Sequence, residues 1–387
     1  MLSKHASSNA CDTRADALET LDCALARLEV RDELDSSSES QTELSAPVDR
    51  VPTEIWEDIF LRACADTILE YPLHADMITA RSLGRVCQRW RDIALDDTRL
   101  WVAFISIDMD RLMRLENDVR DFCIAISLYL ARSADQTLSV EMYWGGTGLH
   151  WSDFSYHLED ECYGDLRRLL RALSRSFWRW KDCVISGNIL EHISRDQYPE
   201  SLKSCCILDG TTERMDRMPF QYAPCLRSWT QEDDSVLPRL PFEQLTHMKL
   251  GAITYGCMAK ILAHCDALED LEVEVDEGDR WARQFPANAW LPNLRNCVYK
   301  PASLSVLKGF LQCLHAPSLE FLELDGPKDT SGWAWPSEEF SRFLECDGHP
   351  TSLILHVGFD ISDDAYYALR SHSCIFQVDV CGRVSVT

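Results

Sequence analysis

Apolar residues recur with helical periodicity in two segments near the start of the chain. The first is "VPTEIWEDIFLRAC", residues 51–64, where Pro52 suits the first turn of a helix. Its apolar face consists of Ile55, Trp56, Ile59, Phe60 and Ala63. The second lies in residues 81–94, and its face consists of Leu83, Val86, Cys87, Trp90, Ile93 and Ala94. Such wide faces cannot all be buried against one another in about 50 residues, so we expect a second polypeptide, or later segments of this chain, to cover the remainder.

A stripe of leucines precedes these segments. The pattern predicts a helix over residues 13–34, with one side formed by Leu18, Leu21, Leu25 and Leu28. This stripe is typical of a short coiled coil, and it could form a dimer seam or pack back on its own chain. The polar, serine-rich residues 35–47 are predicted to be a linker.

Strand and helix patterns alternate after Trp101. The apolar run of residues 103–107 and the alternating "TLSVEMYW" of residues 137–144 predict strands. Apolar spacing predicts helices over residues 115–130 and 166–177. These patterns predict connecting α/β units over residues 105–177.

A loose repeat begins after Trp180. In six segments a proline or polar turn precedes a leucine, and apolar residues recur three and five positions later. The leading leucines are Leu202, Leu226, Leu245, Leu268, Leu294 and Leu319. Their spacings of 19 to 26 residues lie in or near the range of leucine-rich repeats. We therefore predict an α/β solenoid over residues 178–387, with an ordinary α/β domain of coincidental spacing as the alternative.

The composition is that of an acidic folded protein. The 387 residues have a formal net charge of −25 and a hydrophobic fraction of 46%. The negative field would repel nucleic acid, so DNA and RNA binding are not expected. The sequence shows no signal peptide and no apolar run of about 18 residues that could span a bilayer. We expect a soluble protein, without membrane association, in the cytoplasm, the nucleus or both.

Candidate chemistry is sparse in this sequence. The glycines of "WGGTGLH", residues 144–150, lack the lysine of a phosphate loop and are predicted to form a turn. The pairs Cys346/His349 and His372/Cys374 lack the second ligand pair of a zinc site. The seventeen cysteines are expected to be reduced. Three of them fall at apolar positions of the repeat and are predicted to be core residues: Cys183, Cys205 and Cys297. No metal, cofactor or catalytic residue is predicted.

The order of residues between 51 and 101 resembles the F-box, whose pattern is an opening Leu-Pro, an apolar helix, Val-Cys, a tryptophan and a closing Leu-Trp. The matching positions are Pro52, Glu54, Ile55, Ile59, Phe60, Val86, Cys87, Trp90, Leu100 and Trp101. Val51 departs from the usual leucine, and residues 64–82 are longer than a compact F-box needs. The resemblance implies docking on a Skp-type adaptor, and through it on a cullin, by Pro52, Ile55, Trp56, Ile59, Phe60, Val86 and Trp90.

An F-box followed by irregular leucine-rich repeats is similar to a widespread fungal F-box family. The expected fold is an α+β multidomain chain: an N-terminal helix and linker (residues 1–47), a small all-helical F-box (48–104), connecting units (105–177) and a leucine-rich-repeat-like solenoid (178–387). The resemblance implies a non-catalytic substrate receptor of a ubiquitin ligase. The alternatives are a leucine-rich scaffold without ligase assembly and a Cys-His hydrolase.

Charged residues alternate with the apolar residues of the predicted strands. If the leucines point inward, the residues between them point to the concave face of the solenoid. That face would carry Asp270, Glu272, Glu274, Asp276, Glu323 and Asp325, with His247 and Lys249 beside them. We expect an acidic groove that binds a basic segment of a substrate protein, with a merely solvated charged face as the alternative.

Overall fold

The computed structural model describes most of the chain from residue 50 onward. The described residues are 50–70, 79–114, 119–144, 164–190, 193, 197–208, 219–232, 237–276, 289–326, 333–346, 350–355, 359–372, 375 and 377–380. The predicted helix over residues 13–34, the linker and the glycines of residues 145–148 lie outside them, as do His349 and Cys374. The chain divides into two compact units, Met1–Cys64 with Thr79–Leu100, and Ala65–Ile78 with Trp101–Thr387.

The first unit is helical in its described part. It contains α1 (Thr53–Cys64), α2 (Ala80–Leu83) and α3 (Gln88–Asp96), followed by a 3-10 turn at Thr98–Trp101. Pro52 directly precedes α1, and its carbonyl accepts a hydrogen bond from the Ile55 amide at 3.2 Å. Thr79 and Ser82 form a capping box at the start of α2. We call this unit the helical unit.

The single helical stripe predicted over residues 81–94 is divided between two helices. Helix α2 ends at Leu83, and Cys87 adopts an extended conformation with φ −158° directly before α3. The Arg91 side chain donates from Nε to the Gly84 carbonyl at 3.0 Å, which satisfies one of the acceptors left by the break. Val86 consequently lies on the connection between the two helices and not on a helix.

The second unit contains a parallel sheet, and we call it the sheet unit. Its strands are β1 (Ile68–Glu70), β2 (Phe104–Asp108), β3 (Leu138–Tyr143), β4 (Trp180–Ile185), β5 (Ser204–Ile207), β6 (Ser228–Gln231), β7 (His247–Thr254), β8 (Asp270–Asp276), β9 (Ala289–Trp290), β10 (Asn296–Pro301), β11 (Leu314–His315), β12 (Phe321–Leu324), β13 (Trp333–Ala334), β14 (Ser352–Leu355), β15 (Phe359–Asp360) and β16 (Gln377–Val380). Twelve of them form one sheet in chain order. The remaining four form two separate parallel pairs, β9 with β11 and β13 with β15. The coarse prediction of a mixed α and β chain is confirmed by this large parallel sheet.

Helices occur in the connections between strands. Their bounds are Met109–Arg114, Val119–Arg132, Gly164–Arg175, Gly187–Leu190, Tyr255–Leu262, Leu304–Cys313, Ser337–Cys346 and Asp363–Ser371. Gly164–Arg175 shows why the sequence predicts them, because its buried leucines recur at helical spacing: Leu166, Leu169, Leu170 and Leu173. The predicted helices over residues 115–130 and 166–177 correspond to Val119–Arg132 and Gly164–Arg175.

The core of the sheet unit follows from the in-register pairing of its strands. One inward position is occupied on successive strands by Cys183, Cys205, Trp229, Met248, Leu271, Cys297, Leu322 and Leu353. All of these side chains are buried. The prediction that the three cysteines are core residues is therefore confirmed. The six leading leucines of the repeat are also buried, at 2% exposure or less.

A buried arginine supports the turn that leads into β3. Arg179 is 3% exposed and donates hydrogen bonds to the Leu130 carbonyl at 2.7 Å and to Ser133 Oγ at 2.8 Å. It also donates to the carbonyl of Ala134, whose φ of 47° is unusual for a residue other than glycine. Burial lowers the pKa of Arg179 to about 10, although the charge of Asp135 acts in the opposite direction. The guanidinium thus satisfies carbonyls at the end of helix Val119–Arg132.

Within the described residues, no helix is both long enough and apolar enough to cross a bilayer.

Candidate functional site

The helical unit exposes large apolar side chains. Ile55 and Ile59 are 51% and 45% exposed, and they are four residues apart on one side of α1. Val86, on the connection between α2 and α3, is 60% exposed. Pro52 is exposed as well. Four of the seven residues predicted to dock the adaptor are therefore accessible to solvent.

The other three predicted docking residues form the interior of the helical unit. The rings of Trp56 and Trp90 are 4.8 Å apart, and the Phe60 and Trp90 rings are also 4.8 Å apart. Phe60 is buried, at 1% exposure, whereas both tryptophans are half-buried. The position of Phe60 differs from the expectation of a docking side chain, because a buried ring that packs against two tryptophans stabilises the unit itself.

The indole N–H groups of this cluster differ from most buried donors in their hydrogen bonding. Trp56 Nε1 and Trp90 Nε1 are buried and find no hydrogen-bond acceptor among the described residues. A buried donor without an acceptor costs about 1–3 kcal/mol. The cluster therefore combines favourable ring packing with two unsatisfied donors at the centre of the helical unit.

The second candidate site lies on the outward face of the sheet. In register, one row of this face runs through Ser228, His247, Asp270 and Asn296, and the next runs through Thr230, Lys249, Glu272, Val298 and Glu323. Side chains of both rows line a shallow depression of about 260 Å³ on strands β6, β7, β8 and β10. The predicted residues His247, Lys249, Asp270 and Glu272 are all brought together there.

Polar contacts and ion pairs join these side chains across the strands. His247 Nε2 lies 2.8 Å from Asp270 Oδ2, and the Asn296 side-chain amide donates to the same carboxylate. Glu272 contacts two lysines, with Lys249 Nζ at 3.3 Å and Lys300 Nζ at 3.1 Å. Two lysines thus offset part of the charge of the expected acidic groove, because Lys249 and Lys300 both pair with Glu272.

The Glu272 cluster favours the ionised form of its carboxyl group. Partial burial by itself would raise the pKa of Glu272, but hydrogen bonds and charge attraction from Lys300 and Lys249 outweigh it and lower the pKa below its usual value. Partial burial opposes the charge of Lys300 as well, yet its bond to Glu272 raises the pKa of the lysine. Glu272 and Lys300 therefore stay charged together near neutral pH.

The remaining predicted acidic residues extend away from this centre. Glu274 and Asp276 are exposed towards the end of β8, and Glu274 is in register with Lys300. Glu323 lies two strands from Glu272, since Val298 of β10 is between them. Asp325 directly follows β12, and its amide donates to the Tyr299 carbonyl at 3.0 Å. The sequence did not reveal Asn296 and Lys300 as members of the site, because their roles depend on strand register.

Metal and thiol chemistry find little support in this part of the chain. No group of three or more potential metal ligands occurs among the described residues. Burial raises the pKa of the thiols of Cys123, Cys265 and Cys297 to about 12, and it raises that of Cys206 to about 11. A nucleophilic cysteine needs a lowered pKa, and none of these four thiols has one. Cys123, Cys265 and Cys297 are buried, whereas Cys206 is partly exposed.

Comparison with known proteins does not assign a family. No family model matches the sequence, and no curated protein matches it.

Proposed function

We propose that this protein is a non-catalytic substrate receptor of a ubiquitin ligase of the Skp-cullin-F-box type. The helical unit would dock on a Skp-type adaptor, and the sheet unit would bind the substrate protein. The observation that carries the proposal is the exposure of Ile55, Ile59 and Val86 on a unit whose sequence order resembles the F-box. Apolar side chains of this size are favoured at an interface because burying them removes apolar surface from water.

The docking surface that remains exposed is smaller than the sequence suggested. Full burial of a large aliphatic side chain contributes about 1.5–3 kcal/mol, and these three are already about half covered. Association costs on the order of 4–15 kcal/mol. Ile55, Ile59 and Val86 would therefore act as anchors, and contacts from Pro52 and from polar groups around them would complete the interface.

The order of the strands in the sheet unit supports the proposal of a solenoid. Successive strands pair in parallel, they follow the chain order, and each carries its inward apolar residues in register with the next. We interpret this arrangement as leucine-rich-repeat-like, in which each unit is completed by its neighbours. The outward depression around His247 and Glu272 is the proposed place of substrate contact.

The adaptor test is capture of a Skp-type adaptor and a cullin by the full chain. The double variant Ile59→Lys with Val86→Glu should reduce adaptor capture at least tenfold, because it places charges in an apolar contact. The matched control is Ile124→Lys, which changes an isoleucine of similar exposure (41%) on helix Val119–Arg132. Equal capture by the wild type and the double variant would contradict the proposed docking surface.

The second candidate function is a leucine-rich scaffold that does not assemble a ligase. The observation in its favour is the packing of buried Phe60 against both tryptophans, which supports a stabilising role for this part of the matching pattern. A wild-type chain that captures neither adaptor nor cullin, while it still captures other proteins through the sheet unit, would support this function.

A further inference from the structure

Three basic residues occupy equivalent positions at the start of three consecutive strands. Lys181 lies on β4, Lys203 directly precedes β5 and Arg227 directly precedes β6. The backbone links them in order, because the Lys203 amide donates to the Lys181 carbonyl at 2.7 Å and the Arg227 amide donates to the Lys203 carbonyl at 2.9 Å. We call Lys181, Lys203 and Arg227 the basic row.

The basic row has few carboxylate partners. Lys203 and Arg227 are exposed, and neither forms an ion pair with a carboxylate of the described residues. The Arg227 guanidinium donates instead to the carbonyl of Leu226 at 3.0 Å. Lys181 pairs with the adjacent Asp182 at 3.4 Å, and its side chain is 45% exposed. Asp182 also accepts a hydrogen bond from Ser139 Oγ at 3.1 Å, so its charge is shared between two donors.

The same series of backbone hydrogen bonds carries a different pattern of charged side chains farther along the sheet. After Arg227 it continues through Thr246, Glu269, Arg295 and Glu320. Here the charges alternate, and Arg295 Nη1 lies 3.5 Å from Glu320 Oε1. This ladder is therefore positively charged at β4, β5 and β6, although the protein as a whole is negative, with 63 acidic and 38 basic side chains. Such a reversal of charge favours acidic partners at this part of the described surface.

An exposed tyrosine pair lies on the segments that lead into two of these strands. Tyr198 and Tyr222 are 51% and 56% exposed, and their rings are 5.0 Å apart in an edge-on arrangement. Each tyrosine precedes a member of the basic row by five residues, Lys203 and Arg227 respectively. Exposed tyrosines offer large contact areas at a low cost in conformational entropy, which is why they are frequent in binding surfaces.

We propose that the basic row, together with Tyr198 and Tyr222, binds an acidic peptide segment of a partner protein. Strands in a sheet are about 4.8 Å apart, so the three cations span about 10 Å, which is the length of about three residues of an extended chain. Carboxylates on such a segment would meet the cations, and an apolar or aromatic residue beside them would contact the tyrosines. Charge complementarity selects this occupant, because a basic segment would be repelled by the row.

The binding test uses the purified full chain and three fluorescent probes. These are a peptide of alternating glutamate and alanine with one central phenylalanine, the same peptide with lysine for glutamate, and a single-stranded DNA oligomer. The acidic peptide should bind, and its affinity should fall at least tenfold between about 50 mM and 200 mM salt because the contact is electrostatic. The lysine peptide should not displace the acidic peptide at tenfold excess, because it would not occupy the basic row. Absence of binding by the acidic peptide would overturn the proposal, as would a preference for DNA.

Charge reversal locates the site. The triple variant Lys181→Glu, Lys203→Glu and Arg227→Glu should bind the acidic peptide at least tenfold more weakly than the wild type does. The matched control is Arg81→Glu, Arg85→Glu and Lys260→Glu, which changes the net charge equally at exposed positions elsewhere. Its affinity for the acidic peptide should fall less than threefold. Circular dichroism would establish that both variants are folded. Equal losses in the two variants would mean that total charge and not the basic row governs binding.

This inference stands independently of adaptor docking. The triple variant should capture a Skp-type adaptor as well as the wild type does, because the basic row and the exposed residues of α1 belong to different units. Loss of peptide binding with unchanged adaptor capture would support the basic row alone, and the reverse pattern in Ile59→Lys with Val86→Glu would support the docking surface alone.

Discussion

The helical unit and the sheet unit both contain large apolar side chains, but they bury these side chains to different extents. In the sheet, one inward row has a paired strand on each side of every member, and all of its side chains are buried: Cys205, Trp229, Met248, Leu271, Cys297 and Leu322. In the helical unit, α1 buries Phe60 but leaves Ile55 and Ile59 about half exposed. A repeated parallel sheet thus completes its own core, whereas a few short helices leave apolar surface that another molecule can cover.

Truncation of a sheet core residue should have the largest effect. Trp229 is fully buried and its ring lies 5.1 Å from that of Phe220. Trp229→Ala should lower the free energy of unfolding by about 3–5 kcal/mol, since it removes a large buried side chain and leaves a cavity. Urea denaturation followed by far-UV circular dichroism measures the change. Tyr367→Ala, at a position 65% exposed, is the control and should change the stability by less than about 0.5 kcal/mol.

A close backbone approach in β7 should produce the next effect. A methyl group added at Gly251 would lie 2.1 Å from the Glu232 carbonyl oxygen, so the backbone would have to shift. The pairing of β7 with β8 is irregular at this point, between Leu250 and Ile253. Gly251→Ala should destabilise the sheet unit by about 1–3 kcal/mol in thermal or urea unfolding. Gly256→Ala is the control, because the added methyl group would contact nothing within 4 Å.

The sequence predicted the sheet well where inward residues are apolar and spaced by two. The strands that follow Leu202, Leu226, Leu245, Leu268, Leu294 and Leu319 all occur, because alternation and a leading leucine are local features of the sequence. Strands β14 and β16 were not recognised as members of the repeat. Their leading positions are occupied by Pro350 and Ile375, which are buried like the leucines but differ from the leucine pattern.

The candidate site could be predicted only in part. His247, Lys249, Asp270 and Glu272 were identified because they alternate with apolar residues along single strands. Lys300 and Asn296 come from a strand about 26 residues later, and only the register brings them into contact with Glu272 and Asp270. For the same reason the predicted acidic groove did not include Lys300, the second lysine that pairs with Glu272. Sequence periodicity specifies which face a residue occupies, but pairing across strands is set by the tertiary structure.

The lysine cluster around Glu272 should contribute to stability in a pH-dependent way. Because the pKa of Glu272 in the folded protein lies below its ordinary value of 4.5, its stabilising effect is complete above that value and is lost as the pH falls through the folded pKa. Glu272→Gln should therefore reduce the free energy of unfolding modestly at pH 7, and the difference from wild type should shrink towards pH 3. Chemical denaturation at both pH values measures it, with Glu274→Gln on the same strand as control. A difference that grows on acidification would contradict the lowered pKa.

The smallest stability effect should come from the residue on which the docking proposal depends most. Ile59 is 45% exposed, so Ile59→Lys removes little buried surface and should change the free energy of unfolding by less than about 0.5 kcal/mol. Phe60→Ala, one residue later on α1, should cost about 3–5 kcal/mol because Phe60 is 1% exposed and contacts both tryptophan rings. Differential scanning calorimetry of both variants makes the comparison within one helix. A loss of more than about 2 kcal/mol in Ile59→Lys would mean that the chain itself covers this position in solution, and α1 would then have no free apolar side for an adaptor.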